Sequence, residues 1–565
     1  MIRCFDEHDV RPCDSLDGRW EFITDQDHTA DGLPEQYART VQVPGAWELI
    51  PGLENHRGRA WYRTVIHTDE GHHVRLVFGG VSHTATIYVD GEQVGEHYDA
   101  FTPFAVVIPN LADGEHELVI EVDNRFGENS ALHIENDYYS YGGITRPVMI
   151  EWIGDCYLEH ASYRTRRDGD DWVLDASVTI ANIGEDVVTT GVVVGLPETG
   201  TQLGSVAIPP GESVILEGSI IAKEVESWAP GSPFLYPVAA LLVDADGEMH
   251  DDLIDRVGFR EVAVVGTELQ LNGAAIKLRG FNRHEDHGLF GNAIPLQAMA
   301  HDLEIMRDLG ANFVRTSHYP NDQRFLDLCD DLGFLVWEEH HARTIDFEHP
   351  KYREQIDVST EEMVRWHGNH PSIIMWGFLN ECDTVSESGA AEHRRMFALL
   401  RELDDSRPIT YAANRYLRDT VVGCADIVSW NKYTGWYSGE PTLESIREEC
   451  DKLINWSREN GGEGKPFIMS EFGAGAIYGC HDRNRAKWSE EFQADIMEHL
   501  LAVYLHHPNI IGAAIWQFCD VRVTKNWSLQ RPRTMNNKGV VDEFRRPKLC
   551  YDVVREAFHR AAAGE

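Results

Sequence analysis

The sequence predicts a multidomain chain: a jelly-roll β-sandwich, an immunoglobulin-like β-sandwich, then a (β/α)8 TIM barrel. Its texture and its length point that way. Short alternating segments, punctuated by Gly, Pro and Asp, run from the start to about residue 262. After Leu271-Asn272-Gly273 the alternation gives way to eight short apolar runs with helical patterns between most of them. At 565 residues the chain also exceeds a single core, since domains usually span ~100–200 residues. The expected divisions are 1–155, 156–262 and 263–565.

In the first division Thr84-Ala-Thr-Ile-Tyr-Val89 alternates and meets Asp90-Gly91, a strong two-residue hairpin signal. Glu117–Asp123 reads as a second strand, and frequent Gly, Pro and Asp turns suggest a sandwich or jelly roll. In the second, Trp172–Ile180 alternates at period two, and Gly211, Gly218 and Pro230-Gly231 punctuate the later strands. A domain of about 100 residues with this texture fits an immunoglobulin-like sandwich. Neither division gathers catalytic residue types, so each alone could be a binding module.

The third division holds the apolar runs Ile276–Phe281, Phe313–Thr316, Phe334–Trp337, Ile373–Leu379, Ile409–Ala412, Ile427–Trp430, Phe467–Ser470 and Ile510–Phe518. Pro295 opens a helix whose face is Leu296, Met299, Leu303 and Met306, and Gly310 stops it. Ala390–Leu403 and Ser489–Leu505 read similarly. Eight strands alternating with helices over about 300 residues is the pattern of a (β/α)8 barrel, whose active sites lie at the strand C-termini. Arg283, His284, Glu285, His318, Glu338, Glu339, Asn380, Glu381, Asn431, Glu471 and Gln517 fall at those ends. Two of them stand out. Ser372–Leu379 runs into Asn380-Glu381, and Pro466–Ser470 runs into Glu471. Paired carboxylates at buried strand ends are the equipment of glycoside hydrolysis, one donating a proton and the other acting as nucleophile or base. A lone strand-end Glu is as often a helix cap or an arginine partner; two in matching contexts favour chemistry.

Composition narrows the partners. The net charge of −43 argues against nucleic acid and anionic membrane surfaces, both polyanions. Ten scattered cysteines with no C-x-x-C pair suit a reducing cytoplasm, and no apolar run approaches ~18 residues. The expectation is a cytoplasmic protein with no membrane partner.

At this point the residues resemble glycoside hydrolase family 2, and the resemblance covers essentially the whole chain. In the β domains Leu16-Asp-Gly-Arg-Trp20, Ala60-Trp-Tyr-Arg63, Trp228–Tyr236 and Val257-Gly-Phe-Arg260 match family habits. In the barrel Gly280–Asp286, Arg315-Thr-Ser-His-Tyr-Pro320, Asn380-Glu381 and Ser470-Glu-Phe-Gly473 are similar to its signatures. Within the family the likeness is to β-glucuronidases. Asn431-Lys-Tyr-Thr-Gly-Trp-Tyr437 resembles their aromatic substrate loop, Trp516 their last-strand tryptophan, and Asn536-Asn-Lys538 the Asn-x-Lys pair that grips the sugar carboxylate. Asp137 sits where their jelly roll sends an acid into the site. Thr434 departs from the loop pattern, and Arg531 and Arg533 do not align cleanly with the family's carboxylate-side arginine.

The resemblance implies a retaining, exo-acting hydrolase of terminal β-D-glucuronides, acting on a small glycoside or an oligosaccharide, with a homo-oligomeric assembly. Glu381 is then the acid/base and Glu471 the nucleophile. Asn380 would meet the sugar 2-hydroxyl, Tyr433 would hydrogen-bond Glu471, and His284 and His318 would line the floor. Asn431, Trp436, Tyr437, Trp516 and Asp137 would complete the pocket, and Asn536 and Lys538 would take the carboxylate. No cofactor is expected, and Glu339-His340-His341 reads as structural rather than as an essential metal site. The alternatives are another family 2 specificity (β-galactosidase, β-galacturonidase or arabinopyranosidase) and a carbohydrate-binding protein without turnover.

Overall fold

The computed structural model describes residues 2–68, 72–524 and 530–564. The chain begins as a jelly roll, with a six-stranded antiparallel sheet facing a four-stranded one over a core that includes Trp20, Phe22, Tyr62, Leu76, Phe78, Ile87 and Ile120. The hairpin expected at Asp90-Gly91 is present. Thr84–Val89 pairs with Glu92–Tyr98, and Asp90 and Gly91 both take positive φ (52° and 83°). A two-residue turn needs that hand to match the twist of its strands.

Three strands and then four form a second sandwich around Trp172, Leu174, Val178, Val192 and Phe259. Every second residue of Asp171–Asn182 points inward, as its alternation required.

The barrel strands are β1 (Leu278–Arg283), β2 (Phe313–Thr316), β3 (Leu335–Glu339), β4 (Ile373–Gly377), β5 (residues 409–413), β6 (Val428–Asn431), β7 (Phe467–Phe472) and β8 (Ile510–Ile515). All pair in parallel, and β1 meets β8. Strand β5 is split: its first half pairs with β4, its second with β6, and Tyr411 lies between. Helices follow most strands, but β5 and β6 are joined only by a short 3-10 turn at Val422–Cys424. The run read from Ile276 begins two residues later. Ala274–Ile276 belongs instead to a small antiparallel sheet with Val262–Val265 and Glu268–Leu271. Leu269 and Leu271 of that sheet pack with Leu278, Phe313, Leu335 and Ile468 of the barrel strands. An apolar plug at the N-terminal end leaves the C-terminal end as the open face.

Two long connections reach that face. Residues 124–142 leave the jelly roll and carry Asn136, Asp137 and Tyr138 over the barrel mouth, where Arg343 Nη1 holds Asn136 Oδ1 at 2.7 Å. The segment after β8 folds back so that Val521–Arg522 pairs with Met535–Asn536. It is pinned by the buried Lys548 Nζ, which donates to Asp520 Oδ1 (2.7 Å), Ala476 O (2.8 Å) and Asn537 O (3.1 Å). Among the described residues no helix is long and apolar enough to cross a membrane. None of the ten cysteines is paired.

Candidate active site

The ends of β1, β3, β4 and β7 bring polar residues together around one guanidinium, carried by β2. Arg315 sits inside β2, wholly buried, where an apolar strand would ordinarily exclude a charge. Its five donors explain its presence. Nε and Nη2 grip Glu339 at 3.0 and 2.8 Å; Nη1 meets Glu471 Oε1 at 3.0 Å and Asn282 Oδ1 at 2.9 Å; Nη2 also meets Asn380 Oδ1 at 2.8 Å. Only a planar fork spans four partners on four strands in this way.

Glu471 lies in β7 beside an irregularity in register between Met469 and Phe472. A bulge of this kind re-aims a side chain, here into the barrel mouth. Its second oxygen accepts from Tyr433 OH at 2.7 Å. Burial pushes its carboxyl up to about 8, the charge of Glu381 adds to the rise, and Arg315, Tyr433 and Arg343 oppose it.

Glu381 follows β4 in a left-handed backbone conformation (φ 54°), two residues after Leu379 in another (φ 47°). Each costs of order 1 kcal/mol for a residue other than glycine, and neighbouring strain of this sort collects at functional sites. The Glu381 N–H is fixed by Ala412 O of β5 at 3.0 Å. Its Oε1 accepts from Asn431 Nδ2 at 3.0 Å, and Oε2 lies 3.4 Å from Arg343 Nη2. Asn431 is itself held by Ser470 Oγ at 2.8 Å.

The two histidines form the floor. His318 Nδ1 meets Glu339 Oε1 at 2.8 Å, and its ring stacks on Trp516 with centroids 5.0 Å apart. His284 touches Tyr319 OH through Nδ1 at 3.1 Å and stands edge-on to Trp516. Burial lowers both imidazoles, His284 to about 3, so both are neutral.

On the rim, Asp137 Oδ2 accepts from Arg531 Nη2 at 2.9 Å and from Asn536 Nδ2 at 3.2 Å, and Arg343 Nη1 lies 3.4 Å from Oδ1. Burial alone would raise Asp137, but Arg343, Arg531 and Lys538 outweigh it and hold its carboxyl at about 2. Lys538 is 3% exposed, with Nζ 3.4 Å from Asn536 Oδ1. The ammonium stands 5.2 to 5.8 Å from the rings of Tyr437, Tyr433 and Trp436. Burial lowers its pKa. Trp436 is wedged between Lys487 and Trp488, whereas Tyr437 is 60% exposed and lines the entrance.

The residues expected to form the pocket therefore lie around one mouth, whereas of the other strand-end polar residues Arg283 pairs with Asp302, Glu285 with Arg146 and Glu338 with His367. Three others matter as much. Arg315 stands out in the sequence only as part of a motif, although a charged residue in a doubly buried strand is itself a signal. Arg343 bridges Glu381 and Asp137 from the loop after β3, and Arg531 pairs with Asp137 although it does not align with the family's arginine. No spacing rule announces either.

The sequence profile of glycosyl hydrolases family 2 matches the chain twice, its sugar binding domain at residues 13–152 and its TIM barrel domain at residues 262–562. The chain belongs to this family. It is a glycoside hydrolase. A β-galacturonidase from Eisenbergiella tayi, solved bound to galacturonate, is 42% identical over 99% of both chains, with a TM-score of 0.94. A β-glucuronidase from Paenibacillus borealis is 27% identical over 97% of this chain and 96% of its own. A β-D-glucuronidase from Dictyoglomus thermophilum is 27% identical over 98% of both chains, with a TM-score of 0.83.

Proposed function

We propose that this hydrolase removes terminal β-D-uronic acid residues by a retaining double displacement. The observation that carries the reading is Lys538. A buried ammonium faced by three aromatic rings and an amide, with no carboxylate hydrogen-bonded to it among the described residues, is a poor structural device. It is a good receptor for an incoming carboxylate, which would hydrogen-bond the ammonium directly where Asp137 acts on it only through its field. Tyr433 connects the two ends of the pocket, its ring beside Lys538 and its hydroxyl on Glu471. Around the pocket Arg315, Arg343, Arg531 and Lys538 face Glu339, Glu381, Glu471 and Asp137. Four cations against four carboxylates leave that set balanced within a protein of charge −43. The overall field repels an anionic sugar only weakly beyond a screening length of ~8–10 Å, and the local cations decide.

Glu381 takes the role of acid/base and Glu471 that of nucleophile. When Glu381 carries the proton it donates, its charge no longer raises Glu471, and the Arg315 and Tyr433 donors favour the ionised Glu471 that attacks the anomeric carbon. Asn380, held by Arg315, would meet the 2-hydroxyl. Glu381 then takes a proton from the water that releases the sugar.

Glucuronide and galacturonide differ only at C4. The 42% identical neighbour bound to galacturonate, against 27% for the glucuronidases, favours trying the galacturonide first. A panel of p-nitrophenyl β-D-glucuronide, galacturonide, glucoside and galactoside separates these readings. The expected result is a kcat/KM for one uronide far above both neutral sugars; a preference for a neutral sugar overturns the proposal.

A further inference from the structure

We propose that Asp99, His133 and His341 form a structural zinc site that pins the jelly roll to the barrel. The three lie outside the sugar pocket and come from two domains. Asp99 and His133 are on jelly-roll loops, and His341 follows β3. One donor atom from each lies within 4.8 Å of the others, and the three residues are at most 2% exposed. Tetrahedral zinc with bonds of about 2.0–2.2 Å to nitrogen and oxygen sets its donors ~3.4 Å apart. His133 Nε2 and Asp99 Oδ1 stand at 3.4 Å.

The surrounding hydrogen bonds leave room for a cation. His341 uses Nε2 for Tyr138 OH at 3.2 Å, while its Nδ1 is buried without a partner. A buried lone pair left unmet calls for an explanation. Zinc on Nδ1, with Nε2–H donating to Tyr138, is the usual division of labour for a metal-bound histidine. Asp99 accepts from the Phe101 N–H and Ser359 OH, but no lysine or arginine among the described residues lies within ion-pair distance of it. A buried carboxylate without a cation is costly, and a dication removes that cost. His133 Nε2 would give up one weak contact, from the Ala100 N–H at 3.3 Å. The His83 ring, stacked on His133, also lines a cleft of about 650 Å³ with Tyr98 and Gln355, which offers an entry path. The N/O donor set fits zinc, or cobalt as its spectroscopic substitute, better than calcium or magnesium.

The test uses the full-length chain, stripped with dipicolinate and titrated with Zn2+ and with Co2+. The expected result is one equivalent bound, a rise in Tm with Zn2+, and the intense visible absorption of tetrahedral Co2+ without a thiolate charge-transfer band. His133→Gln or Asp99→Asn should lower Zn2+ affinity at least ~100-fold, the upper range for loss of even an outer partner. Should both variants fail to fold, stoichiometry and the Co2+ spectrum of the unaltered chain decide. No uptake, a thiolate band, or binding that survives both substitutions overturns the proposal; the last would point to the other buried cluster, Asp327, Asp330 and His370.

Discussion

The floor and the rim of the pocket are built by different means. On the floor each group stands at the end of its own barrel strand, and Arg315 ties Asn282, Glu339, Asn380 and Glu471 into one network. On the rim Asp137, Arg343, Arg531, Asn536 and Lys538 arrive on three connections and pair with one another across hundreds of residues. Floor groups are fixed by the sheet's own hydrogen bonds, so their geometry comes with the fold. Rim groups depend on loops and on the Lys548–Asp520 anchor behind them. Under the proposed function, bond cleavage lives on the floor and sugar choice on the rim. Changes on the floor should then cost turnover on every substrate, and changes on the rim should sort substrates by charge.

The largest effect is expected from Glu471→Gln, which removes the proposed nucleophile. Losses on the order of 10^6-fold in kcat accompany deletion of an attacking group elsewhere. Steady-state assays on a uronide would check this, and retention of even a tenth of the activity would reassign Glu471. Glu381→Ala should be more selective. It should slow substrates with poor leaving groups by about 10²–10⁴-fold while sparing activated aryl glycosides. Added azide should rescue it and yield a β-glycosyl azide; equal losses on all leaving groups, with no azide product, contradict the role. A third check reads stereochemistry directly. NMR of the first-formed sugar should show the β anomer, and an α anomer would mean inversion.

The smallest effect is in pH. Burial, with the charge of Glu381, brings the Glu471 carboxyl to about 8. The nucleophile must be ionised to attack, so kcat/KM on activated substrates should rise with pH up to about that value. In Glu381→Ala the charge that helped raise Glu471 is gone, and that limb should move to lower pH. A limb unchanged by that substitution would assign it to another group.

The contrast between floor and rim also explains what the sequence could tell. Period two marked the sandwiches, and Asp90-Gly91 marked a hairpin whose φ angles are as expected. Asn380-Glu381 and Glu471 were legible because each ends a doubly buried run. The irregularity that aims Glu471 was not, since one extra residue in a strand leaves no mark on an apolar pattern. Lys538 and Asp137 were found only through the resemblance, for a lysine in a polar loop is ordinarily solvated. Arg343 was missed altogether, because its partners Asn136 and Asp137 lie some two hundred residues away in another domain.

The central claim is that Lys538 reads the sugar's charge, and one comparison addresses it. kcat/KM would be measured for the preferred uronide and for its neutral hexoside, before and after Lys538→Ala. A charge-assisted hydrogen bond to a buried carboxylate contributes ~1.5–3 kcal/mol, so the uronide should lose roughly 10- to 150-fold while the hexoside stays nearly constant. Equal losses on both sugars, or none on either, would make Lys538 a packing residue and remove the basis for uronide specificity.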